Sequence, residues 1–210
     1  MSFKPINVSV VCEGSTEVEI IKVLNKNYFA SKAIFLKRVE WKNRPSMNGD
    51  VSIDRLVWHI NHASHPVVTT FVDYYGFKIQ HGIEAKQIED ILRSKVKKPH
   101  FIPYLQIHET EALCFANKEI LCRTMNADDK QKRDIDIIIS EFDDCPEKIN
   151  NDPKKAPSKR LEDIFKGYQK ILHGTKIIQA IPLSDMISKC PHFAQWLNDI
   201  EAEVNKVRKN

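Results

Sequence analysis

Glu13, Asp73, Glu109 and Glu111 are the residues best placed for chemistry, because each closes or follows an apolar run that reads as a β-strand. Ile6 to Cys12 is the first such run and leads into Glu13. Val67 to Val72 (VVTTFV) is the most strand-like and ends at Asp73, and a further strand from Phe101 to Ile107 is followed by His108, Glu109 and Glu111. In open parallel sheets ligands gather outside the carboxyl ends of the strands, where loops and helix N-termini converge. Carboxylates brought to one edge repel one another and raise their own pKa values, so an ionised cluster calls for a cation. Their hard oxygens suit Mg²⁺ or Mn²⁺. Taken singly, Glu13 or Asp73 serves equally well as an acid at the start of the next helix. The agreement of three strand ends is what favours a metal.

A second group is basic. The loop Pro153 to Arg160, PKKAPSKR, carries Lys154, Lys155, Lys159 and Arg160, with Ser158 placed to cap a helix, and a helix N-terminus flanked by cations suits a phosphate. The competing reading is a solvated basic loop. His59, His62 and His65 recur at three-residue steps, but a helix end facing water accounts for them better than a metal does. Phe193, Trp196 and Leu197, like Leu161, Ile164 and Phe165, read as core.

The elements that must position these residues alternate through the first 110 residues between β-rich runs and helical patterns, the signature of an α/β domain with a mainly parallel sheet. A helix starting near Ser15 carries Ile20, Ile21, Leu24 and Tyr28 on one face, with Thr16 and Glu19 forming a T-x-x-E capping box. Ala33 to Val39 suits a second strand, followed by a polar loop from Glu40 to Asp50. Helices are expected from Ile53 to His62 and from Glu84 to Val96. Beyond Ala116 only helices are expected, near Lys130 to Phe142, Ser158 to Leu172 and Leu183 to Val204. The organisation expected is an α/β core over residues 1–118, with a helical extension over 119–210 packed on it as one structural unit.

The 210 residues, 42% hydrophobic and 29% charged with 6 Gly, describe a globular chain. Five cysteines without a C-x-x-C pair argue against a disulfide framework and a zinc ribbon. Residues 119–210 hold 16 basic and 16 acidic residues, so the net +4 lies in residues 1–118, with 16 basic against 12 acidic. That excess permits nucleic-acid binding without diagnosing it. No apolar run suits a membrane span and no secretory leader is evident, so the cytoplasm is the expected location.

Cys12-Glu13-Gly14-Ser15-Thr16-Glu17 and Val72-Asp73-Tyr74-Tyr75-Gly76, each after a buried strand, resemble the motifs of Toprim domains in topoisomerases, primases and related nucleases. More narrowly, the chain resembles the bacterial Toprim-like family catalogued as domain of unknown function 4276. The resemblance runs through Ile102-Pro103-Tyr104-Leu105-Gln106, His108-Glu109-x-Glu111-Ala112-Leu113, the stretch Pro146 to Leu161, and Cys190-Pro191-His192-Phe193 with Trp196-Leu197. It implies a Toprim-type, Rossmann-like core in which Glu13 and Asp73 bind a divalent metal used on phosphodiester bonds. Toprim domains carry two Asp one residue apart; Tyr75 stands where the second would be, and Glu109 or Glu111 is the candidate replacement.

The expectation is thus a metal-dependent phosphodiester hydrolase acting on DNA or RNA, using one or two Mg²⁺ or Mn²⁺ ions. Glu13, Asp73 and Glu109 or Glu111 would hold the metal or orient water, while Lys159 and Arg160 would stabilise charge on the transition state. The resemblance further implies a bacterial defence module with an AAA or ABC-type ATPase partner, since this chain has no G-x-x-x-x-G-K-[ST] motif. The alternative is a non-catalytic regulatory or adaptor subunit of such an ATPase that keeps a metal or nucleotide pocket. Self-association stays open.

Overall fold

The computed structural model describes residues 4–39, 52–77, 83–150 and 153–209; the polar loop expected from Glu40 to Asp50 lies outside them. The chain divides into two compact units, Met1–Gln106 with Trp196–Asn210, and Ile107–Gln195. The boundary expected at residue 118 therefore falls earlier, directly after the last strand, and the end of the chain belongs to the first unit.

The first unit is α/β. Its elements are β1 (Ile6–Cys12), α1 (Ser15–Leu24), β2 (Ile34–Val39), α2 (Ile53–Asn61), β3 (Val67–Asp73), α3 (Ala85–Lys95), β4 (His100–Ile102) and β5 (Leu105–Gln106). Every pairing is parallel, in the order β2-β1-β3-β4, with β5 also on β3. β1 and β3 are central and buried along nearly their whole length, which is why they read as continuous apolar runs rather than alternating ones. Val11, Val68, Val72, Phe101 and Leu105 form one core with Leu56 and Ile60 of α2 and Ile88 and Leu92 of α3.

The strand expected over Phe101 to Ile107 is split, because Pro103 has no N–H to give the ladder. Two threonines of β3 repair the gap. Thr70 Oγ1 donates to Tyr104 O and accepts from Tyr104 N, both at 2.8 Å, while Thr69 Oγ1 donates to Ile102 O at 2.7 Å. The C-terminal helix then uses the same hydroxyl. Trp196 Nε1 donates to Thr69 Oγ1 at 2.7 Å, and its ring stacks on Tyr104 at 4.5 Å and on Phe71 at 5.1 Å. Trp196 is a core residue, as expected. The capping box expected at Thr16 and Glu19 does not form. Gly14 is the N-cap of α1, Thr16 is buried, and Glu19 pairs with Lys22 at 2.6 Å.

The second unit is helical. A 3₁₀ segment (Thr110–Ala116) leads into α4 (Lys118–Thr124), α5 (Asp129–Glu141), α6 (Pro157–Ile164), a π-helical turn (Lys170–Gly174), α7 (Thr175–Ala180), α8 (Leu183–Lys189) and the start of α9 (Pro191–Lys209). Asp128 caps α5 with Gln131 in a reciprocal box, and Asn117 caps α4 while donating to Asp185 at 2.6 Å. The helix expected from Ser158 to Leu172 stops at Ile164, and Gly167 then takes φ 85°, a left-handed value that glycine adopts without strain. The helix expected from Leu183 to Val204 is two helices, parted where Pro191 opens the second. Its first turn is held by Glu147, which is 4% exposed and accepts from His192 N and Phe193 N, each at 2.9 Å.

Two expectations follow. Thr69→Val should cost about 1–3 kcal/mol in urea unfolding, since it strands the buried Trp196 N–H. Burial raises the Glu147 pKa above its ordinary value, against the pull of its two backbone hydrogen bonds. The folded state therefore holds that proton at higher pH than the unfolded chain does. The charged acid is a penalty present above the raised pKa and relieved as pH falls through it toward the ordinary carboxylate range. The stability difference between wild type and Glu147→Gln, followed by urea unfolding from pH 7 to pH 4, should shift in favour of wild type as pH falls.

Candidate functional site

The first unit presents the acidic edge. β1 leads to β2 on one side and has β3 on the other, so the strand order switches between β1 and β3, the position at which open α/β sheets commonly bind ligands. Cys12 pairs with Phe71 across that boundary; Glu13 follows Cys12 immediately and is exposed, while Asp73 is the last residue of β3 and half-buried. The carboxyl ends of neighbouring strands thus deliver both acids. A third carboxylate lies near the end of β1, beside Gly14, one that sequence reasoning passed over. Glu17, in the first turn of α1, is 6% exposed, and its Oε2 lies 2.6 Å from where a Cβ on Gly14 would sit. Burial pushes the Cys12 thiol up to about 12; the Glu17 charge adds to that shift, and Arg38 opposes it by charge and hydrogen bond.

Tyr75, in the place expected for a second Asp, lies half-buried beside Tyr74, with ring centroids 5.8 Å apart. Next to Asp73 in register is Gln106, fully buried and accepting from the Tyr104 hydroxyl at 2.7 Å. Among the described residues, no group of three or more His, Cys, Asp or Glu side chains is placed to hold a metal.

Glu109, Glu111, Lys159 and Arg160 belong to the second unit. Glu111 has no exposed surface, and Lys170 Nζ lies 2.8 Å from its Oε2 and 4.0 Å from Glu109 Oε1. The other oxygen of Glu109 accepts from Ser158 N at 3.0 Å, at the N-terminus of α6. Ala156 is the N-cap of that helix and Pro157 its first residue, so Ser158 is not the cap expected of it. The helix start read as a phosphate site holds a carboxylate of this chain instead, favoured there by the same orphan N–H groups and dipole.

Gly174 closes the cluster. A Cβ there would sit 2.8 Å from the Tyr168 hydroxyl and 3.8 Å from Glu111 Oε1, and Cys114 Sγ reaches Gly174 O at 3.9 Å. Burial raises the Tyr168 and Cys114 pKa values, Glu111 adding to both, so these groups stay protonated. Burial also lowers the His108 pKa, against the charge of Glu109; His108 takes φ 62° on entry to the segment. An open cavity of about 620 Å³ lies outside the turn, lined by Gln169, Lys170, Ile171, Leu172, Thr175 and Lys176.

Lys159 and Arg160 diverge. Lys159 is exposed and pairs with Glu162 at 2.6 Å. Arg160 is occupied within the unit: Nε donates to Lys155 O at 2.9 Å, Nη1 is 3.6 Å from Glu141, and the guanidinium lies 4.9 Å over the Phe142 ring. The cation that meets the acidic motif is Lys170. The histidines do not converge: His59 is buried, His62 Nδ1 bonds Trp58 O, and His65 Nδ1 bonds Ser9 Oγ. All five cysteines are free. No helix among the described residues is long and apolar enough to cross a membrane.

These features define an α/β protein with a mainly parallel sheet, an acidic carboxyl edge and a helical C-terminal unit. Residues 12–201 match the family described as domain of unknown function 4276, and the chain belongs to it. No curated protein and no solved structure matches.

Gly174→Ala should destabilise the protein by about 1–3 kcal/mol in urea unfolding, because the buried Tyr168 ring has to move to admit a methyl group.

Proposed function

We propose that the protein is a metal-dependent phosphodiester hydrolase of Toprim type acting on DNA or RNA, with Glu13 and Asp73 as the pair that holds Mg²⁺ or Mn²⁺. The observation that supports this is the emergence of both acids at the carboxyl ends of β1 and β3, neighbours in register at Cys12 and Phe71. The donor set fits the ion. Mg²⁺ is commonly held by one or two carboxylates, its other positions filled by waters and substrate phosphates, so a third protein ligand is not required. The buried Glu17, against Gly14 next to Glu13, adds negative charge near the end of β1 and favours a cation over an anion there.

When bound, the cation supplies Lewis-acid polarisation of the phosphoryl oxygen and an activated water. Glu13, being exposed, can reach a nucleic-acid strand from outside, while Asp73 is fixed by the end of β3. Lys159, exposed on α6, is the candidate for a backbone phosphate; Arg160 is better assigned to joining α6 and α5. ATP hydrolysis, if the activity needs it, belongs to an AAA or ABC-type partner, and a bacterial defence module remains the proposed setting. A second reading, an adaptor or regulatory subunit that binds the ion without cleaving, is favoured by Tyr75 in the place of a second Asp.

Incubation with DNA and RNA in Mg²⁺ or Mn²⁺ tests the proposal. Wild type should cleave one of them, and the Glu13→Gln, Asp73→Asn pair should fall to the metal-free level. A wild type that gains thermal stability from Mn²⁺ through these two residues, yet cleaves nothing with or without an ATPase partner, selects the adaptor.

A further inference from the structure

A hard divalent cation between Glu109 and Glu111 would occupy the space near both carboxylates, and another positive charge is already there. Lys170 Nζ is 2.8 Å from Glu111 Oε2 and 4.0 Å from Glu109 Oε1. We infer that the Lys170 ammonium is the built-in cation of the H-E-x-E motif: it takes the seat of a divalent metal and closes these two glutamates to one. The inference goes beyond the proposed function and does not depend on it, because it concerns residues of the other unit.

Several features hold the ammonium in that seat. Glu111 is fully buried, so it must keep a counter-charge at close range. Glu109 is fixed from its other side by Ser158 N, which sets the separation of the two carboxylates. The turn carrying Lys170 is itself fixed, because Gly174 lies against both the Tyr168 hydroxyl and the Glu111 carboxylate. Tyr168 is 8% exposed, and its hydroxyl, which has no hydrogen-bond partner among the described residues, lies on the Gly174 side of the cluster. The carboxylate oxygens of Glu109 and Glu111 on either side of the ammonium are hard donors of the kind that suit Mg²⁺ or Mn²⁺. The lysine stem borders the open cavity and its side chain is 42% exposed, so the ammonium has a way out.

Mn²⁺ binding to the full chain, followed by electron paramagnetic resonance and by thermal shift, decides the matter. In wild type, Glu111→Gln should leave the number of bound Mn²⁺ unchanged. Lys170→Met should gain one Mn²⁺ that Glu111→Gln then removes, whereas Lys170→Arg, which keeps the charge, should gain none. Without metal, Lys170→Met should lower Tm, and adding Glu111→Gln should recover part of the loss by removing the stranded charge. Should Lys170→Met fail to fold, Lys170→Gln, which keeps a donor to Glu111, replaces it in the same titration. A wild-type Mn²⁺ site lost in Glu111→Gln overturns the inference, and so does a folded Lys170→Met, or the Lys170→Gln that replaces it, that gains no metal. Loss of Mn²⁺ in Glu13→Gln, Asp73→Asn reports only on the other unit, so failure of one proposal is distinguishable from failure of the other.

Discussion

Glu111 is a carboxylate with no exposed surface, and a charge taken out of water must be met by an opposite charge and by hydrogen bonds. The second unit answers that demand with distant parts of the chain. Lys170 supplies the charge, Glu109 shares it, and the start of α6 holds Glu109 through Ser158 N. Gly174 leaves room for the Tyr168 ring to complete the wall. The 3₁₀ segment, α6 and the π-helical turn are therefore tied to one buried charge. Glu147 repeats the device on a smaller scale, a buried acid bound to the backbone at the start of a helix.

In the first unit the controlling constraint is the backbone ladder. Pro103 breaks it beside β3, and a buried strand tolerates such a break only when the freed groups find partners. Thr69 and Thr70 provide them, and Trp196 binds to the same hydroxyl of Thr69 that bonds Ile102. β3 is thus bonded to its neighbours up to Asp73, and β1 is paired with it up to Cys12, the residue before Glu13. The metal pair proposed at these strand ends would draw its geometry from that bonding.

The parallel sheet was legible because β1 and β3 are unbroken apolar runs, and α2 and α3 were legible to within a residue or two from their periodicity. Family membership was legible from motifs spread over the chain, and it is matched over residues 12–201. The break in the last strand was legible in principle from Pro103, and the separation of α8 from α9 from Pro191; in both cases apolar periodicity outweighed a proline that proved decisive. Two things had no local signal. Lys170 falls within the helix expected from Ser158 to Leu172, and only folding brings it to Glu109 and Glu111. The start of α6 looked like an anion site and is one, but its anion is Glu109, which no spacing rule connects to Ser158.

Glu13 and Asp73 are the proposed metal-binding acids, whereas Glu109 and Glu111 are met by Lys170. Anomalous diffraction from a crystal soaked in Mn²⁺ locates the ion directly against both. The account predicts a peak between the Glu13 and Asp73 carboxyl groups, with Lys170 Nζ still against Glu111. A peak seated on Glu111 with the Lys170 side chain displaced, or no peak at Glu13 and Asp73, would contradict it.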